Sequence, residues 1–232
     1  MAGPALHLGD ETELPEPERL SQSEIEALSR SFETQPASKV IRWAVDRFHP
    51  RLALLCSFPD AVLIDLAIRV EPSIEVVFID TGHHFPETLE TVEAVRRRYG
   101  LNLRMVTVGP DPAPLGEDGC CSATKVAQLD RALVGREAWM SGLRRADAVT
   151  RADAPIVGLD RRGLVKVNPL ATWTDDDVAG YIAEHDVPVN PLVFRGYPSV
   201  GCRPCTRPVA PGEDPRSGRW AGTGRTECGI HV

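Results

Sequence analysis

The sequence predicts an α/β fold with a doubly wound, mostly parallel sheet, followed by an irregular C-terminal tail. Strand-like apolar runs alternate with helix-like amphipathic runs between residues 52 and 108. The 232 residues are 42% hydrophobic, which suffices to bury one substantial core. From residue 190 onward Gly, Pro and Arg dominate and no apolar periodicity remains, so this tail should be either disordered or functional.

The first predicted elements are two short helices, over residues 21–32 and 37–48. The first opens with a capping-box pattern, because Ser21 is followed three residues later by Glu24. We expect both helices to cover one edge of the core. The preceding residues are acidic and Pro-rich and lack the apolar core of a signal peptide, which predicts a loose N-terminal arm over residues 1–20.

A βαβαβ unit follows the two helices. It consists of the strand LALLCSF, the helix AVLIDLAIRV, the strand EVVFID, the helix PETLETVEAVRRRYG and the strand LRMVTV. Such a unit predicts a parallel sheet. Two further strands, AWMSGL and LVKVNPL, precede a helix whose N-cap is Thr174 and whose first turn is acidic. The nucleotide-binding domain should therefore span residues 21–189, and the tail residues 190–232.

Charge and composition exclude several classes of function. The net charge of −7 argues against general binding to nucleic acid or to anionic membranes, which needs a surplus of Lys and Arg. No run approaches the roughly 20 apolar residues of a membrane span. We therefore expect a cytoplasmic protein without a nucleic-acid or membrane partner. Any anionic ligand must be held by local basic clusters.

The cysteines carry the most specific signal in the sequence. Six cysteines in a reducing compartment indicate metal, cluster or catalytic chemistry rather than a disulfide framework. Cys120 and Cys121 are adjacent, and Cys202 and Cys205 form a CxxC pair. Four thiolates in two groups suit either zinc or a [4Fe-4S] cluster, and inert buried thiols are the alternative. Zinc pairs are usually spaced by about two to four residues, so the adjacent pair favours the cluster.

Cys228 stands apart from these four, among the final five residues of the chain. It lies far in sequence from any predicted element that would bury it, so we expect an exposed thiol on a mobile segment, which suits a nucleophile. A harmless surface cysteine is the alternative. Five upstream arginines are suited to stabilise a thiolate and to clamp an oxyanion: Arg203, Arg207, Arg216, Arg219 and Arg225.

Polar residues and glycine follow the ends of the predicted strands. Ser57 precedes a helix whose N-terminus is suited to a phosphate. Main-chain groups around Ile79, near the end of the next strand, are placed to contact an adenine. Gly142 is followed by clustered guanidinium groups, among them Arg144 and Arg151, which suit phosphate or sulfate. The carboxyl ends of parallel strands bind nucleotides in doubly wound folds, so we predict a nucleotide site here.

Together, these segments resemble the adenylyl-sulfate and phosphoadenylyl-sulfate reductase family between residues 52 and 231. The resemblance rests on SFPDAVLIDLA, FIDTGHHFPET, CCSATK, AWMSGLRR, KVNPLATWTDDDV, GYPSVGCRPCTR, GEDPRSGRW and TECGIH. It implies a sheet of the adenine nucleotide alpha-hydrolase type. Members with four cysteines in this arrangement belong to the [4Fe-4S] branch that prefers adenylyl sulfate, whereas members that use the 3′-phosphorylated substrate commonly lack them.

The resemblance also implies a mechanism. Cys228 is expected to attack the sulfur of adenylyl sulfate, expelling AMP and leaving an S-sulfocysteine, from which thioredoxin or a related dithiol releases sulfite. The cluster is expected to be held by Cys120, Cys121, Cys202 and Cys205 and to shape the site electrostatically, with Lys125 bridging cluster and substrate. With Arg144 of the guanidinium cluster added, the expected substrate contacts are Ser57, Ile79, Lys125, Gly142, Arg144, Arg151, Arg216 and Arg219. The sequence leaves a homo-oligomer open.

The chain departs from the family pattern in two segments. The loop SFPDAV and the stretch between residues 106 and 120 are both shorter than usual. Thr124 stands where a basic residue is common, and Asp147 replaces a common Gln. Three alternatives remain: a reductase of the 3′-phosphorylated substrate, an ATP-pyrophosphatase-type adenylating enzyme, and a non-catalytic, zinc-stapled nucleotide-binding module. The adenylating enzyme would need a Gly-rich loop that SFPDAV lacks.

Overall fold

Six strands form one sheet in a computed structural model that describes residues 19–109, 123–223 and 225–230. The strands are β1 (Leu52–Leu55), β2 (Glu75–Asp80), β3 (Leu103–Thr107), β4 (Ala138–Ser141), β5 (Val157–Leu159) and β6 (Val165–Val167). Their order in the sheet is β3-β2-β1-β4-β6-β5. All neighbouring strands are parallel except the edge strand β5, which runs antiparallel to β6. The predicted fold class, with its doubly wound, mostly parallel sheet, is confirmed.

The described residues also form six α-helices. These are α1 (Gln22–Phe32), α2 (Ala37–Phe48), α3 (Val62–Ile68), α4 (Pro86–Tyr99), α5 (Lys125–Ala132) and α6 (Asp175–His185). The predicted N-caps are confirmed, because the Ser21 hydroxyl accepts from Glu24 N and the Thr174 hydroxyl accepts from Asp177 N. Gly100 ends α4 in the left-handed conformation, with φ of 59°. No helix in the described ranges is long and apolar enough to cross a membrane.

Successive strand residues face opposite sides of the sheet and build two apolar layers. Leu54, Phe78 and Met140 face the larger core, which the buried faces of α1 to α4 complete. Ala53 and Trp139 face the second layer, where α5 contributes its buried residues. The C-terminal tail completes this second layer, because the side chain of its Ile230 is buried against it.

Three features of the fold were absent from the sequence prediction. The edge strand β5 is only three residues long and contains Gly158, and α1 packs against it. Helix α5 is short and follows residues 110–122, which lie outside the described residues, as does most of the predicted N-terminal arm. The tail is irregular as predicted, but it packs closely and buries Leu192, Val200 and Trp220.

Asn190 anchors the beginning of the tail and is completely buried. Its main-chain N–H donates to the Pro59 carbonyl at 3.0 Å, which fixes the loop after β1. Its side-chain amide donates to the Thr88 hydroxyl at 3.1 Å and accepts from Leu192 N at 3.1 Å. One side chain therefore ties the tail to the β1–α3 loop and to α4.

Replacing Asn190 with Ala should destabilise the fold by about 2 kcal/mol, because it strands buried hydrogen-bonding groups. Urea unfolding followed by circular dichroism measures this change. The matched control is Asn102→Ala, since Asn102 is exposed and donates to the Ser73 carbonyl at 3.0 Å. The control should cost less than about 0.5 kcal/mol, and equal losses in the two variants would contradict the anchoring role.

Candidate active site

The carboxyl ends of three neighbouring strands form the floor of the candidate site. Leu55 of β1 pairs with Val77 of β2 and with Ser141 of β4, so the residues that follow lie side by side. Ile79, Ser57 and Gly142 thus share one edge of the sheet. Ser57 and Gly142 are exposed, whereas the side chain of Ile79 is buried. The order in which strands are added to the sheet reverses between β1 and β4. In doubly wound folds a crevice for ligands opens at this point.

The loop between β1 and α3 is short and folded back on itself. Phe58 adopts a left-handed conformation, with φ of 57°, and its buried ring packs edge-on against Phe78. The carboxylate of Asp60 accepts from Val62 N at 2.9 Å. This N–H at the start of α3, where a phosphate was predicted to bind, therefore already has an acceptor. Burial raises the pKa of Asp60, and it raises the pKa of the Cys56 thiol to about 12. Cys56 therefore remains a neutral thiol.

Arginines gather at the end of β4, on two short 3₁₀ turns. Arg144 pairs with the carboxylates of Asp147 and Asp175, each at 2.8 Å. Asp147 also accepts from Arg151 Nη1 at 3.1 Å, so one carboxylate links the two guanidinium groups. Burial opposes the charge on Arg144, but these carboxylates raise its pKa. Its Nη1 atom is buried and has no hydrogen-bond partner among the described residues, which leaves a donor for an anion.

Two more arginines reach the site from the tail. Trp220 N donates to the Cys205 carbonyl at 3.0 Å, which pairs the segment PRSGRW with the CxxC turn. The approach is close, because a Cβ at Gly218 would clash with the Arg207 carbonyl oxygen. The Arg219 and Arg216 guanidinium groups stack over the Trp220 ring, at 4.4 and 5.5 Å from its centroid.

Gly201 makes room for the Arg219 side chain, because a Cβ at that position would overlap the guanidinium group. Arg219 Nη1 donates to Ser199 Oγ and to the Val200 carbonyl, each at 3.3 Å. Its Nε is buried and lacks a partner in the described part of the chain. Like Arg144, Arg219 therefore keeps one donor for an anionic ligand.

Cys228 lies half-buried beside this arginine group, and it packs against Trp220. The expectation of an exposed thiol is wrong, because Cys228 is half-buried and the neighbouring Ile230 buries its side chain against the sheet. The mobility of the segment stays a prediction. Glu227 holds the segment on the other side. Its carboxylate accepts from Arg151 Nε at 2.7 Å and from Arg216 Nη2 at 3.0 Å.

The two further arginines of the predicted clamp, Arg203 and Arg207, are exposed on the outside of the CxxC turn. Arg225 is half-buried, and its main-chain N–H donates to the Thr223 hydroxyl at 3.3 Å. Of the five tail arginines, the structure therefore brings Arg216 and Arg219 against Trp220.

The CxxC pair lies on a short 3₁₀ turn, Arg203–Cys205, at the same end of the sheet. Cys202 is buried, and its Sγ lies 3.1 Å from the Thr81 hydroxyl oxygen. Cys205 is half-buried against Trp220. The predicted partners Cys120 and Cys121 lie outside the described residues. Within the described ranges, no three His, Cys, Asp or Glu side chains converge as a metal site would require.

His84 connects the CxxC turn with Lys125, the first residue of α5. Its Nε2 donates to the Ile79 carbonyl at 3.0 Å, and its ring packs on Phe78. Burial lowers the pKa of His84, and the positive charge of Lys125 acts in the same direction, while Cys202 opposes it. Lys125 and Cys202 therefore both act electrostatically on the His84 imidazole. The bridging role of Lys125 stays a prediction.

The sequence analysis missed two residues of the site, Lys166 and Glu227. Lys166 projects from β6 with its Nζ 4.9 Å above the Trp139 ring. Burial, together with the charge of Arg151, lowers the pKa of Lys166 to about 8, although the nearby Cys228 opposes this shift. A signal was available, because a single lysine inside the apolar strand LVKVN of a sheet covered on both faces must be buried.

Comparisons with known proteins bear on the identity of this site. A family profile described as the phosphoadenosine phosphosulfate reductase domain matches residues 51–208. The adenosine 5′-phosphosulfate reductase of Mycolicibacterium smegmatis is 45% identical over 208 residues, covering 84% of this chain and 88% of that protein. The protein of the same name from Streptomyces coelicolor is 44% identical over 230 residues, covering 92% and 98%.

Solved structures give a consistent picture of the fold. The crystal structure of phosphoadenylyl-sulfate reductase from Candida auris, a phosphate complex, superposes with a TM-score of 0.68 at 27% identity, covering 84% of this chain and all of that chain. The FMN adenylyltransferase of Candida glabrata superposes with a TM-score of 0.58 at 14% identity, covering 79% of this chain and 73% of that chain. The second likeness concerns the fold alone.

The buried lysine makes a prediction about stability. Because the pKa of Lys166 falls from about 10.5 unfolded to about 8 folded, its buried charge costs stability at all pH values below 8. That cost disappears as the pH rises from 8 to 10.5. Lys166→Met should remove this pH dependence, so that the variant gains most relative to the wild type below pH 8.

Urea unfolding of both proteins between pH 6 and pH 10.5 measures the effect as a difference in unfolding free energy. Lys39→Met is the matched control, since Lys39 is exposed on α2 and donates to Gln35 Oε1 at 3.1 Å. A constant difference between Lys166→Met and the wild type across this pH range would contradict the buried charge.

Proposed function

Because this chain belongs to the phosphoadenosine phosphosulfate reductase family, we propose that it reduces adenylyl sulfate to sulfite and AMP, with Cys228 as the nucleophile. The observation that carries the proposal is the position of Cys228. It packs on Trp220, over which two arginines stack, and it lies beside two more cationic groups, Arg151 and Lys166. A thiol surrounded by cations suits attack on an anionic electrophile.

Adenylyl sulfate is favoured over its 3′-phosphorylated form by two observations. The relatives from Mycolicibacterium smegmatis and Streptomyces coelicolor, at 45% and 44% identity, carry the name adenosine 5′-phosphosulfate reductase. The chain also has the paired cysteines that accompany this preference in the family it resembles. A reductase of the 3′-phosphorylated nucleotide is the second candidate.

The strand ends supply the nucleotide site in this proposal. The edge at which the strand order reverses is lined by Ser57, Ile79 and Gly142. In this proposal a nucleoside binds there, between β1 and β4. The phosphosulfate end of the substrate then points toward the tail, where the unpartnered nitrogens of Arg144 and Arg219 await acceptors. Both nitrogen atoms are buried, so hydrogen bonds to an anion would offset the free-energy cost of removing them from water.

The reaction then proceeds as two exchanges at sulfur. The Cys228 thiolate attacks the sulfate sulfur, an S–S bond forms, the bond from sulfur to the bridging phosphate oxygen breaks, and AMP leaves. A thiolate of the dithiol next attacks Cys228 Sγ, which expels sulfite and forms a mixed disulfide. The second thiol of the dithiol then attacks its partner sulfur and releases the Cys228 thiolate, so the dithiol supplies the two electrons of the reduction and ends as a disulfide. The cations of Arg216 and Arg219 stabilise the negative charge on the transferred group.

Thioredoxin, or a protein with the same dithiol chemistry, is the proposed reductant. Regeneration of Cys228 requires a reducing compartment, which supports the cytoplasm as the location. Cys228 is half-buried and Glu227 beside it is partly exposed, so a protein dithiol reaches the S-sulfocysteine only after the C-terminal segment moves outward. The segment would therefore alternate between the nucleotide site and the partner.

We further propose that Cys120, Cys121, Cys202 and Cys205 hold a [4Fe-4S] cluster. Three observations on the described residues support the fit. Val108, just before residues 110–122, contacts Trp220, as Cys205 does. Lys125, just after them, lies near His84 together with Cys202. The Thr81 hydroxyl beside Cys202 Sγ is suited to donate to a thiolate ligand.

When bound, such a cluster would change the electrostatic potential at the substrate anion. Lys125 would balance that change, because it is the first residue of α5, follows Cys121 by four positions in the sequence and acts electrostatically on His84. Hydrogen bonds within the chain also hold the CxxC turn. Arg203 N donates to the His83 carbonyl at 2.8 Å, and the Thr206 hydroxyl donates to the Cys202 carbonyl at 2.9 Å.

Substituting Cys228 with Ser should abolish sulfite release while leaving adenylyl-sulfate binding intact, because the nucleotide site lies on strand ends that this substitution does not touch. The measurement is sulfite production with reduced thioredoxin, paired with calorimetric binding of adenylyl sulfate, on anaerobically purified protein. Sulfite production by the variant at the wild-type rate would refute the assignment of the nucleophile.

Substituting Cys205 with Ser should lower the bound iron to a small fraction of the wild-type content and remove the brown colour, because a cube loses one of four ligands. Iron analysis and the visible spectrum of the same preparation test this. Cys56→Ser is the control, since Cys56 lies at the end of β1 and its Sγ accepts from Phe58 N at 3.2 Å. A colourless wild-type protein with stoichiometric zinc would instead favour the zinc-stapled binding module.

A further inference from the structure

We propose that Glu227 is a positioning residue, whose carboxylate seats the C-terminal segment 226–230 and thereby fixes the location of the Cys228 thiol. Its part in catalysis rests on the proposed function, whereas its part in holding the segment does not. Glu227 precedes the nucleophile directly in sequence. A fixed Glu227 carboxylate therefore restricts the positions that Cys228 reaches.

The contacts of Glu227 are numerous for a residue so near a chain terminus. Arg151 binds its carboxylate through a fork, with Nε to Oε1 at 2.7 Å and Nη2 to Oε2 at 2.8 Å. Arg216 Nη2 donates to Oε2 at 3.0 Å, and the Thr150 hydroxyl donates to Oε1 at 3.1 Å. Bidentate, charge-assisted bonds of this kind combine strength with a defined orientation.

Little else in the described residues holds this segment. No hydrogen bond between main-chain groups involves residues 226–230 in the described part of the chain. The Thr226 carbonyl accepts from Arg216 Nη2 at 3.1 Å, so its one hydrogen bond uses the same arginine as Glu227. The buried side chain of Ile230 is the other anchor. Cys228 thus lies between a polar anchor on one side and an apolar anchor on the other.

The charge state of Glu227 supports the polar anchor. Burial alone would raise the pKa of Glu227, but the guanidinium groups of Arg151 and Arg216 outweigh it and hold the pKa below its ordinary value. Glu227 is therefore ionised at neutral pH. The side chains of Glu227, Arg151 and Arg216 are each less than 15% exposed, so the ion pairs are poorly screened by water.

The alternative is that Glu227 merely occupies an anion site that the substrate needs. In this structure all three nitrogens of the Arg151 guanidinium already donate to carboxylates, because Nε and Nη2 bind Glu227 while Nη1 binds Asp147. Arg151 therefore acts on the segment that carries Cys228, whereas Arg144 and Arg219 keep buried donors for an anion. Because different arginines bind the segment and offer donors to an anion, the contacts favour a positioning role for Glu227 over competition with the substrate. The two roles predict opposite effects when the charge of Glu227 is removed.

Alkylation of Cys228 tests the anchor without any substrate. In Glu227→Gln, the rate of Cys228 modification by iodoacetamide should rise about tenfold, because charge-assisted hydrogen bonds that hold the segment are lost. The rate is taken at the alkaline plateau of its pH profile, where it reports access rather than ionisation, and the Cys228 peptide is followed by mass spectrometry. An unchanged plateau would overturn the proposal.

Two further variants distinguish the loss of the Glu227 contacts from a general folding defect. Glu213→Gln is the matched control, because Glu213 is an exposed glutamate of the same tail whose carboxylate, among the described residues, accepts from Ala210 N and Ser217 Oγ. Its plateau rate should equal that of the wild type. Glu227→Asp keeps the charge but shortens the reach, and it should give a rate between those of the wild type and Glu227→Gln. It also serves if Glu227→Gln does not fold.

Single-turnover transfer from adenylyl sulfate tests the catalytic part. Without a reductant, Glu227→Gln should form S-sulfocysteine at Cys228 about tenfold more slowly than the wild type, with AMP affinity unchanged. Transfer at the wild-type rate combined with tighter AMP binding would show that Glu227 competes with the substrate, and would overturn the proposal. If the wild type forms no S-sulfocysteine, the proposed function fails, and the alkylation experiment still decides whether Glu227 holds the segment.

Discussion

The arrangement of this protein depends on the second face of its sheet, which the described helices cover only in part. The first face is covered by α1 to α4 and by α6, but the second has only the eight residues of α5 from the described helices. Ala53, Val77 and Trp139 would otherwise expose apolar surface there, at a cost of roughly 25 cal/mol per Å². The tail supplies the missing cover through Ile230. The segment that carries Cys228 is thus held at the sheet by the same burial that completes the core.

Electrostatics explain why a protein with a net charge of −7 can still hold a compact arginine group. Arg144, Arg151 and Arg216 face carboxylates of Asp147, Asp175 and Glu227. These carboxylates outweigh the desolvation of Arg144 and Arg151 and raise their pKa values, whereas burial and the charge of Arg151 lower the pKa of Arg216. The compensation is incomplete at two nitrogens, on Arg144 and Arg219. An anionic ligand therefore finds donors that are already oriented, while the rest of the group stays fixed by internal ion pairs.

Local chemistry made much of the fold predictable from the sequence. The capping residues Ser21 and Thr174, the terminating Gly100 and the alternation of strand and helix patterns each act within a few residues. The ends of β1, β2 and β4 followed from the same pattern, which brought Ser57, Ile79 and Gly142 to one edge. The edge strand β5 was missed because three residues that include a glycine carry too little periodicity.

Long-range contacts decided what the sequence did not predict. Cys228 looked exposed because nothing near it in sequence buries it, yet Trp220 packs against it and Ile230 buries the end of its segment. Glu227 resembled a solvated charge, since its partners Arg151 and Thr150 lie more than 70 residues away in the chain. Lys166 was read as part of a strand, and its lowered pKa follows from burial and from the charge of Arg151.

Trp220 is the point at which the separate parts of the site meet. Its main chain binds the carbonyl of Cys205, and its ring contacts both Cys205 and Cys228. Two arginines stack over the same ring, so a shift of the CxxC turn would move the guanidinium groups and the nucleophile together. If the four cysteines bind a cluster as proposed, its loss would be felt at Cys228 through this indole without any electron passing between them. The physical link is packing and hydrogen bonding, which a rigid aromatic side chain transmits well.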